Sequence, residues 1–345
     1  MRQTFSQTLL KWYDDNRRAL PWRGERDPYR VWLSEIMLQQ TRTETVERYY
    51  AAFLARFPTV RDLAAADEET VLKLWEGMGY YSRARNLHKA AKRVADDLGG
   101  RFPETAAGLR ALPGVGPYAA GAIASIAFGE AVPALDGNQA RVISRVTACD
   151  RVLRTPGALE PEARRLLDAD RPGDYNQALM DLGATICLPR RPKCGLCPVA
   201  GFCEGRAGGD PEDYPRLPPP PVKREEARTI ALVWLEGRVL VRKRPEKGLL
   251  AGLWEFPNLE GALQGQELTE ALAGLGIAGA RVQGPLPPAK HVFTHLIWHM
   301  TGWALTAERA GEAWRAVDGQ ELAALAMTSA LRIYRGIAAQ ALSER

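Results

Sequence analysis

Nowhere in the chain do apolar residues run for the roughly 18 positions that a membrane span requires. The opening residues 1–10, Met-Arg-Gln-Thr-Phe-Ser-Gln-Thr-Leu-Leu, are too polar for a signal peptide. Both absences point to a cytoplasmic protein with no membrane among its partners. No internal repeat is present, so the chain does not read as an array of stacked units. Cysteine is scarce except in one place: four of the five fall within 187–203. In a reducing compartment that clustering argues against a disulfide framework and for a metal site. The remaining one, Cys149, ends a helical-looking run over 141–149 and reads as a small buried core residue.

What is present is ordinary for a globular protein. Hydrophobic residues make up 46% and charged ones 25%, too much apolar surface for a disordered chain. At 345 residues the chain exceeds what one hydrophobic core usually serves, so two domains are expected. The net charge of +5 suits a polyanionic partner. Over 1–207 apolar residues recur at three- and four-residue spacing, interrupted at Pro58, Pro103, Pro113 and Pro133, which predicts an all-helical first domain. Residues 208–228 carry Gly-Gly-Asp-Pro, the run 218–221 of prolines and Lys-Arg-Glu-Glu, the composition of a semi-rigid spacer. Beyond it, β-rich runs at 229–235 and 238–242 flank Glu236-Gly237 in a hairpin pattern. A second strand pair is expected within 291–305, and helices near 267–275 and 328–342. The domain 229–345 is therefore α+β.

The cysteines are spaced Cys187-x6-Cys194-x2-Cys197-x5-Cys203, close enough for four thiolates to wrap one inorganic centre. Zinc and an iron–sulfur cluster both take four thiolates. A loop pinned in this way would hold Arg190, Arg191 and Lys193 outward as a phosphate clamp. A second anion site is expected at 112–118, Leu-Pro-Gly-Val-Gly-Pro-Tyr. Gly114 and Gly116 can turn the chain and present bare N–H groups, and Pro117 suits the first turn of the next helix. An ordinary helix–helix turn reads the same way from this segment alone.

Two carboxylates stand out. Glu35 has Val31, Trp32 and Leu38 as helical neighbours, and a carboxyl on such an apolar face keeps a proton near neutral pH, as a general acid must. A helix-surface glutamate fits that segment equally well. Asp136, in Leu-Asp-Gly-Asn ahead of a helical run, is good helix-start chemistry. Amides and Asn138 around it would also keep it ionised, the state in which it could face a cationic sugar.

The cysteine spacing resembles the [4Fe-4S] loop of the endonuclease III superfamily of helical DNA glycosylases. The segment 112–118, followed by small residues over 119–127, resembles that superfamily's helix-hairpin-helix. With Pro-Trp-Arg23, the run 32–41 (Trp-Leu-Ser-Glu-Ile-Met-Leu-Gln-Gln-Thr), the run 77–83 (Gly-Met-Gly-Tyr-Tyr-Ser-Arg) and Leu-Asp-Gly-Asn138, nearly the whole chain is similar to the MutY family of adenine DNA glycosylases. The resemblance implies a six-helix-barrel part at about 25–135, an iron–sulfur part formed by 1–24 and 136–207, and a structural [4Fe-4S] cluster on the four cysteines. It implies that adenine mispaired with 8-oxoguanine or guanine in double-stranded DNA is removed by a monomer working at the nucleoid. Glu35 would protonate the adenine and Asp136 would stabilise the sugar cation. Arg23, Tyr118 and Asn138 would support the pocket, and Gln40, Thr41, Met78 and Tyr80 would enter the base stack around an extruded nucleotide. Tyr118 stands where the lyases of the superfamily carry a lysine; a phenol forms no Schiff base, so release without strand cleavage is expected.

Residues 252–257, Gly-Leu-Trp-Glu-Phe-Pro, and the strands around them resemble a Nudix-like domain. The stretch equivalent to its metal-binding helix, Leu-Thr-Glu-Ala-Leu-Ala-Gly-Leu-Gly over 268–276, is too poor in carboxylates to hold magnesium, so a recognition module is expected. Phe293-Thr294-His295 matches the loop with which the family inspects oxidised guanine, with threonine in place of the usual serine. His291, His295 and His299 lie in a β-rich stretch where four residues span about 13 Å, too far apart for shared metal ligation.

Overall fold

The computed structural model describes residues 4–344. The chain divides into two compact units, one made of residues up to 66 together with 86–219, the other of 67–85 together with 220 onward. The helices of the first part of the chain are α1 (Phe5–Asn16), α2 (Pro28–Leu38), α3 (Thr43–Arg56), α4 (Val60–Ala65), α5 (Glu68–Leu74), α6 (Ser82–Lys92), α7 (Ala106–Leu109), α8 (Pro117–Phe128), α9 (Gly137–Val146), α10 (Glu160–Leu166), α11 (Pro172–Thr185) and α12 (Glu204–Gly208). Helix α5 belongs to the second unit, and α6 crosses the division.

Within the first unit, local chemistry sets where the site-bearing helices begin. The Asp27 carboxylate accepts the Tyr29 and Arg30 amides ahead of α2, with Pro28 in its first turn. Asp136 does the same for α9 by accepting the Gln139 amide. Helix α8 is built of small residues, and the chain at Pro133 lies against it so closely that a Cβ on Gly121 would meet the Pro133 carbonyl at 2.3 Å. One core joins α1, α9 and α11 through Leu9, Ile143, Leu179 and Leu182, all fully buried. Each such side chain contributes about 1.5–3 kcal/mol. Cys149 packs into the same core, as expected of a small apolar residue.

The second unit carries β1 (Arg224–Leu235), β2 (Arg238–Lys243), β3 (Trp254–Glu255), β4 (Asn258–Glu260), α13 (Gly265–Gly274), β5 (Ile277–Ala278), β6 (Arg281–Val292), β7 (Leu296–Thr306), β8 (Arg309–Ala310), β9 (Arg315–Val317), α14 (Gly319–Ala324) and α15 (Arg332–Ser343). The main sheet runs β3-β2-β1-β7-β6, with β4 also on β1 and β9 on β2. Strands β1 and β7 are parallel; their other neighbours are antiparallel. The β1–β2 hairpin turns at Glu236 and Gly237, both with left-handed backbone (φ 49° and 80°), the conformation a two-residue turn needs. Along β1, Ile230, Leu232 and Trp234 face a core shared with α14 and α15, while Ala231 and Val233 face a core shared with α13. Covered on both faces, the strand reads as an unbroken apolar run.

Two strands are longer than their local patterns suggest. β1 starts at Arg224, inside the expected spacer, because Arg224–Arg228 pair in parallel with Leu296–Met300 of β7. β6 starts at Arg281 and admits Pro287 and Pro288 through an irregularity between Leu286 and Ala289, while Pro285 keeps its register opposite Trp303. At its other end the spacer begins where α12, which follows the cysteine loop directly, ends at Gly208.

Candidate active site

Helix α2 buries nearly every residue from Tyr29 to Met37, and Glu35 goes in with them, 4% exposed. Its carboxyl meets the second residue of α8: the Tyr118 hydroxyl donates to Glu35 Oε2 at 2.6 Å. Burial raises the pKa of Glu35 above the ordinary carboxylate value, and the nearby Asp136 charge adds to this; the Tyr118 hydrogen bond and the Arg23 guanidinium oppose it without cancelling it. Tyr118 is itself held well above the ordinary phenol value, by burial and by the Glu35 charge, so it stays a neutral donor.

Tyr118 and Asp136 both border a cleft of about 940 Å³, whose walls also include Gln40, Gly116 and Leu135. Asp136 Oδ1 accepts the Gln139 amide at 2.7 Å and Oδ2 accepts Asn138 Nδ2 at 3.3 Å. Asn138 Oδ1 in turn accepts from Arg141 at 2.9 Å. Burial pushes the Asp136 pKa up and outweighs the lowering by the Gln139 and Asn138 amides and the Asn138 side chain, which were expected, and by Arg141, which was not. The sequence pattern shows the donors around this carboxylate but not its depth.

The hairpin turns at Gly114 as expected, whereas Gly116 has ordinary extended backbone (φ -81°). Gly114 is left-handed (φ 75°), and a Cβ there would lie 2.7 Å from the Asn86 side chain; Gly116 is the N-cap of α8 and Pro117 its first residue. Gln40 is exposed with left-handed backbone (φ 55°), and Thr41 is half-buried beside it. Two partners of Arg23 escape sequence reasoning. Its guanidinium donates to Gln177 Oε1 at 2.6 Å and to Asp181 Oδ1 at 2.5 Å, on successive turns of α11. Polar residues four apart on an otherwise apolar helix were the available signal.

The four cysteines line one small cavity of about 30 Å³ together with Val142, Arg145 and Val199. Among the described residues, no group of three or more His, Cys, Asp or Glu side chains is placed to hold a single metal ion. Four thiols around a common space fit a centre that takes four thiolates. Arg145, 2% exposed, donates to Cys187 Sγ at 3.3 Å and to the carbonyls of Leu188 and Pro189, tying α9 to the loop. Arg190, Arg191 and Lys193 are exposed on it.

In the second unit, Phe293 turns the chain between β6 and β7 with its N–H on the Leu296 carbonyl at 2.8 Å. Its ring stands edge-on to Trp298 at 5.0 Å and to His291 at 4.5 Å, while Thr294 and His295 are exposed. The Thr294 hydroxyl lies 2.9 Å from that of Tyr80, so the structure brings two of the residues singled out above together. Met78, by contrast, is 6% exposed and packed inward. His299 pairs with Glu225 at 3.1 Å, and the three histidines of this stretch form no metal group.

Three family models match: the HhH-GPD superfamily base excision DNA repair protein over 33–168, the iron-sulfur binding domain of endonuclease III over 187–203, and the NUDIX domain over 229–334. The human adenine DNA glycosylase is 37% identical over 96% of this chain and 74% of its own length. The chain belongs to the adenine DNA glycosylase family. The adenine DNA glycosylase of Schizosaccharomyces pombe is also 37% identical, over 75% of this chain and 70% of its own. Among solved structures, a thermostable thymine-DNA glycosylase is 32% identical with a TM-score of 0.56, covering 59% of this chain and 96% of its own. A trapped endonuclease III–DNA covalent intermediate, 22% identical with a TM-score of 0.52 over 59% of this chain and 94% of its own, shares the helical fold. As an adenine DNA glycosylase, the protein is a base excision repair enzyme acting on N-glycosidic bonds, with a helical glycosylase region, a [4Fe-4S] loop and a Nudix-like region. No helix among the described residues is long and apolar enough to cross a membrane.

Proposed function

We propose that this enzyme removes adenine mispaired with 8-oxoguanine or guanine in double-stranded DNA, as a monomer, without cutting the strand. One observation carries the reading: a buried, proton-retaining Glu35 bonded to Tyr118 beside a cleft that Asp136 borders. Adenine has to leave the base stack to enter such a cleft, at a cost of a few kcal/mol. Gln40, Thr41, Met78 and Tyr80 are the residues proposed to fill the space it vacates.

Because Tyr118 donates to Oε2, the carboxylic proton of Glu35 belongs on Oε1, free to go to the base. Protonation turns adenine into a neutral leaving group, and the sugar becomes an oxocarbenium-like cation. Asp136 faces that cation, fixed by the Gln139 amide and Asn138, until water adds. Tyr118 offers no amine, so no Schiff base forms with the sugar. The cysteines would hold the cluster, which keeps the loop of Arg190, Arg191 and Lys193 in shape to grip phosphates, as Gly114 and Gly116 would from the hairpin. We assign the helical region to 1–207 and inspection of the oxidised guanine to 229–345, through Phe293, Thr294 and His295.

Short duplexes with adenine opposite 8-oxoguanine, guanine or thymine test this, scored for abasic sites before and after hot alkali. Breakage only after alkali, with adenine opposite 8-oxoguanine or guanine preferred over thymine, is expected. Glu35→Gln should slow release by about 10²–10⁴-fold with DNA binding kept. Turnover near the wild-type rate in that variant sinks the assignment.

A further inference from the structure

We propose that Glu76 is a positioning residue, through which Arg335 and Lys73 hold the segment 77–80 in the shape it presents to DNA; this rests on the reading above that Tyr80 meets the duplex. The segment is short and unusual. Gly77, Gly79 and Tyr80 all have left-handed backbone (φ 99°, 73° and 47°), and for tyrosine that conformation is unfavourable unless its surroundings impose it. Tyr80 is nonetheless 47% exposed; Thr294 meets its hydroxyl at 2.9 Å and Arg83 lies 5.5 Å over its ring, contacts to the side chain that leave the backbone of Gly77 and Gly79 to be held from elsewhere.

The constraint comes from residues on either side, and its partners lie some 250 positions later in the chain. Glu76 Oε1 accepts from the Arg335 guanidinium on α15 and from the Met327 amide at 3.4 Å. Its Oε2 accepts from Lys73 at 2.6 Å. Both cations do double duty at the end of α14: Arg335 donates to the carbonyls of Leu322 and Ala323, and Lys73 to those of Ala323 and Leu325. Those are orphan acceptors at a helix C-terminus, where positive charge is favoured. Glu76 therefore sits between two cations that are already fixed. On the far side, the Tyr81 hydroxyl accepts the Gly77 N–H and donates to the Met327 carbonyl, each at 3.3 Å. Trp75 Nε1 and Arg83 close the segment by donating to the Gly79 carbonyl. Residues 76 and 81 are thus both moored to Met327, and the exposed Tyr80 is carried between them.

Amide exchange over 75–82 tests the proposal, followed by mass spectrometry in the whole, cluster-loaded chain, with β1 and β7 as reference and single-turnover adenine release measured alongside. Arg335→Met should speed exchange over 75–82 by about tenfold with β1 and β7 still protected, and should slow release by about tenfold. That substitution also strips carbonyls at the end of α14, so Glu76→Gln approaches the contact from the other side and must give the same local signature. Wild-type exchange over 75–82 in Glu76→Gln overturns the proposal. So does an equal loss of protection across β1 and β7 in both variants, which would make the contact ordinary support for the fold. Were the wild-type chain to release no adenine at all, the functional reading would fall while the exchange data still judged the segment.

Discussion

The carboxyl proposed to do the chemistry and the loop proposed to read the lesion are built in opposite ways. Glu35 is 4% exposed within a helix buried along most of its length, whereas Thr294 and His295 stand exposed on a turn between two strands. The contrast suits what each is proposed to do. Proton delivery needs a raised pKa, and withdrawal from water is the strongest means of raising it. Reading a base needs donors and acceptors that reach a partner arriving from outside, so the loop is anchored behind by Phe293 against Trp298 and left open in front. Substitutions in the first place should change rates, and those in the second should change preferences.

Asp136→Asn should give the largest effect that separates the two. Asparagine is as good an N-cap as aspartate, so α9 should survive. Loss of the charge facing the sugar should cut adenine release by about 10²–10³-fold, equally opposite guanine and 8-oxoguanine, in single-turnover assays. A change in the ratio of the two rates would break the division of labour. Thr294→Val makes the converse test. It keeps the shape and deletes the hydroxyl that lies 2.9 Å from Tyr80. Preference for 8-oxoguanine over guanine should fall by up to about tenfold, the worth of one hydrogen bond, with release opposite guanine unchanged. Equal losses on both substrates would assign Thr294 to general support.

The two regions also differ in how far they could be read from the chain. Glu35, Tyr118 and the cysteines sit in local patterns (an apolar helical face, a glycine turn before a helix, a ligand spacing) that each allow a plainer reading, and the family resemblance decides between them. What escaped depends on partners distant in sequence. The opening of β1 reads as spacer because Arg224–Arg228 become a strand only against β7. Most of β6 lies ahead of the strand pair expected within 291–305, and two of its prolines, Pro287 and Pro288, fall where its pairing with β7 is irregular. Residues 67–85 lie in the helical part of the sequence yet form a compact unit with 220 onward, through contacts such as Trp254 Nε1 to Glu69 at 2.7 Å. The depth of Asp136 was missed for a related reason. Its donors are two and three residues away, but the walls that bury it come from other helices.

Tyr118→Phe gives the smallest and most diagnostic effect. The phenol's hydrogen bond favours the charged form of Glu35 and so lowers a pKa that burial raises. Without it, the carboxyl should hold its proton to higher pH. In the proposed reaction release requires Glu35 protonated, so wild-type activity should fall as pH rises through the pKa of Glu35, and in Tyr118→Phe that descending limb should move to higher pH. The ascending limb, which follows ionisation of Asp136, should stay nearly in place, because Asp136 bonds to Gln139 and Asn138 rather than to the phenol. A pH–rate profile measured under single turnover reads both limbs at once. If the descending limb moved down, Tyr118 would have to act on the proton other than through Glu35 Oε2, and the buried carboxyl would lose its place as the acid.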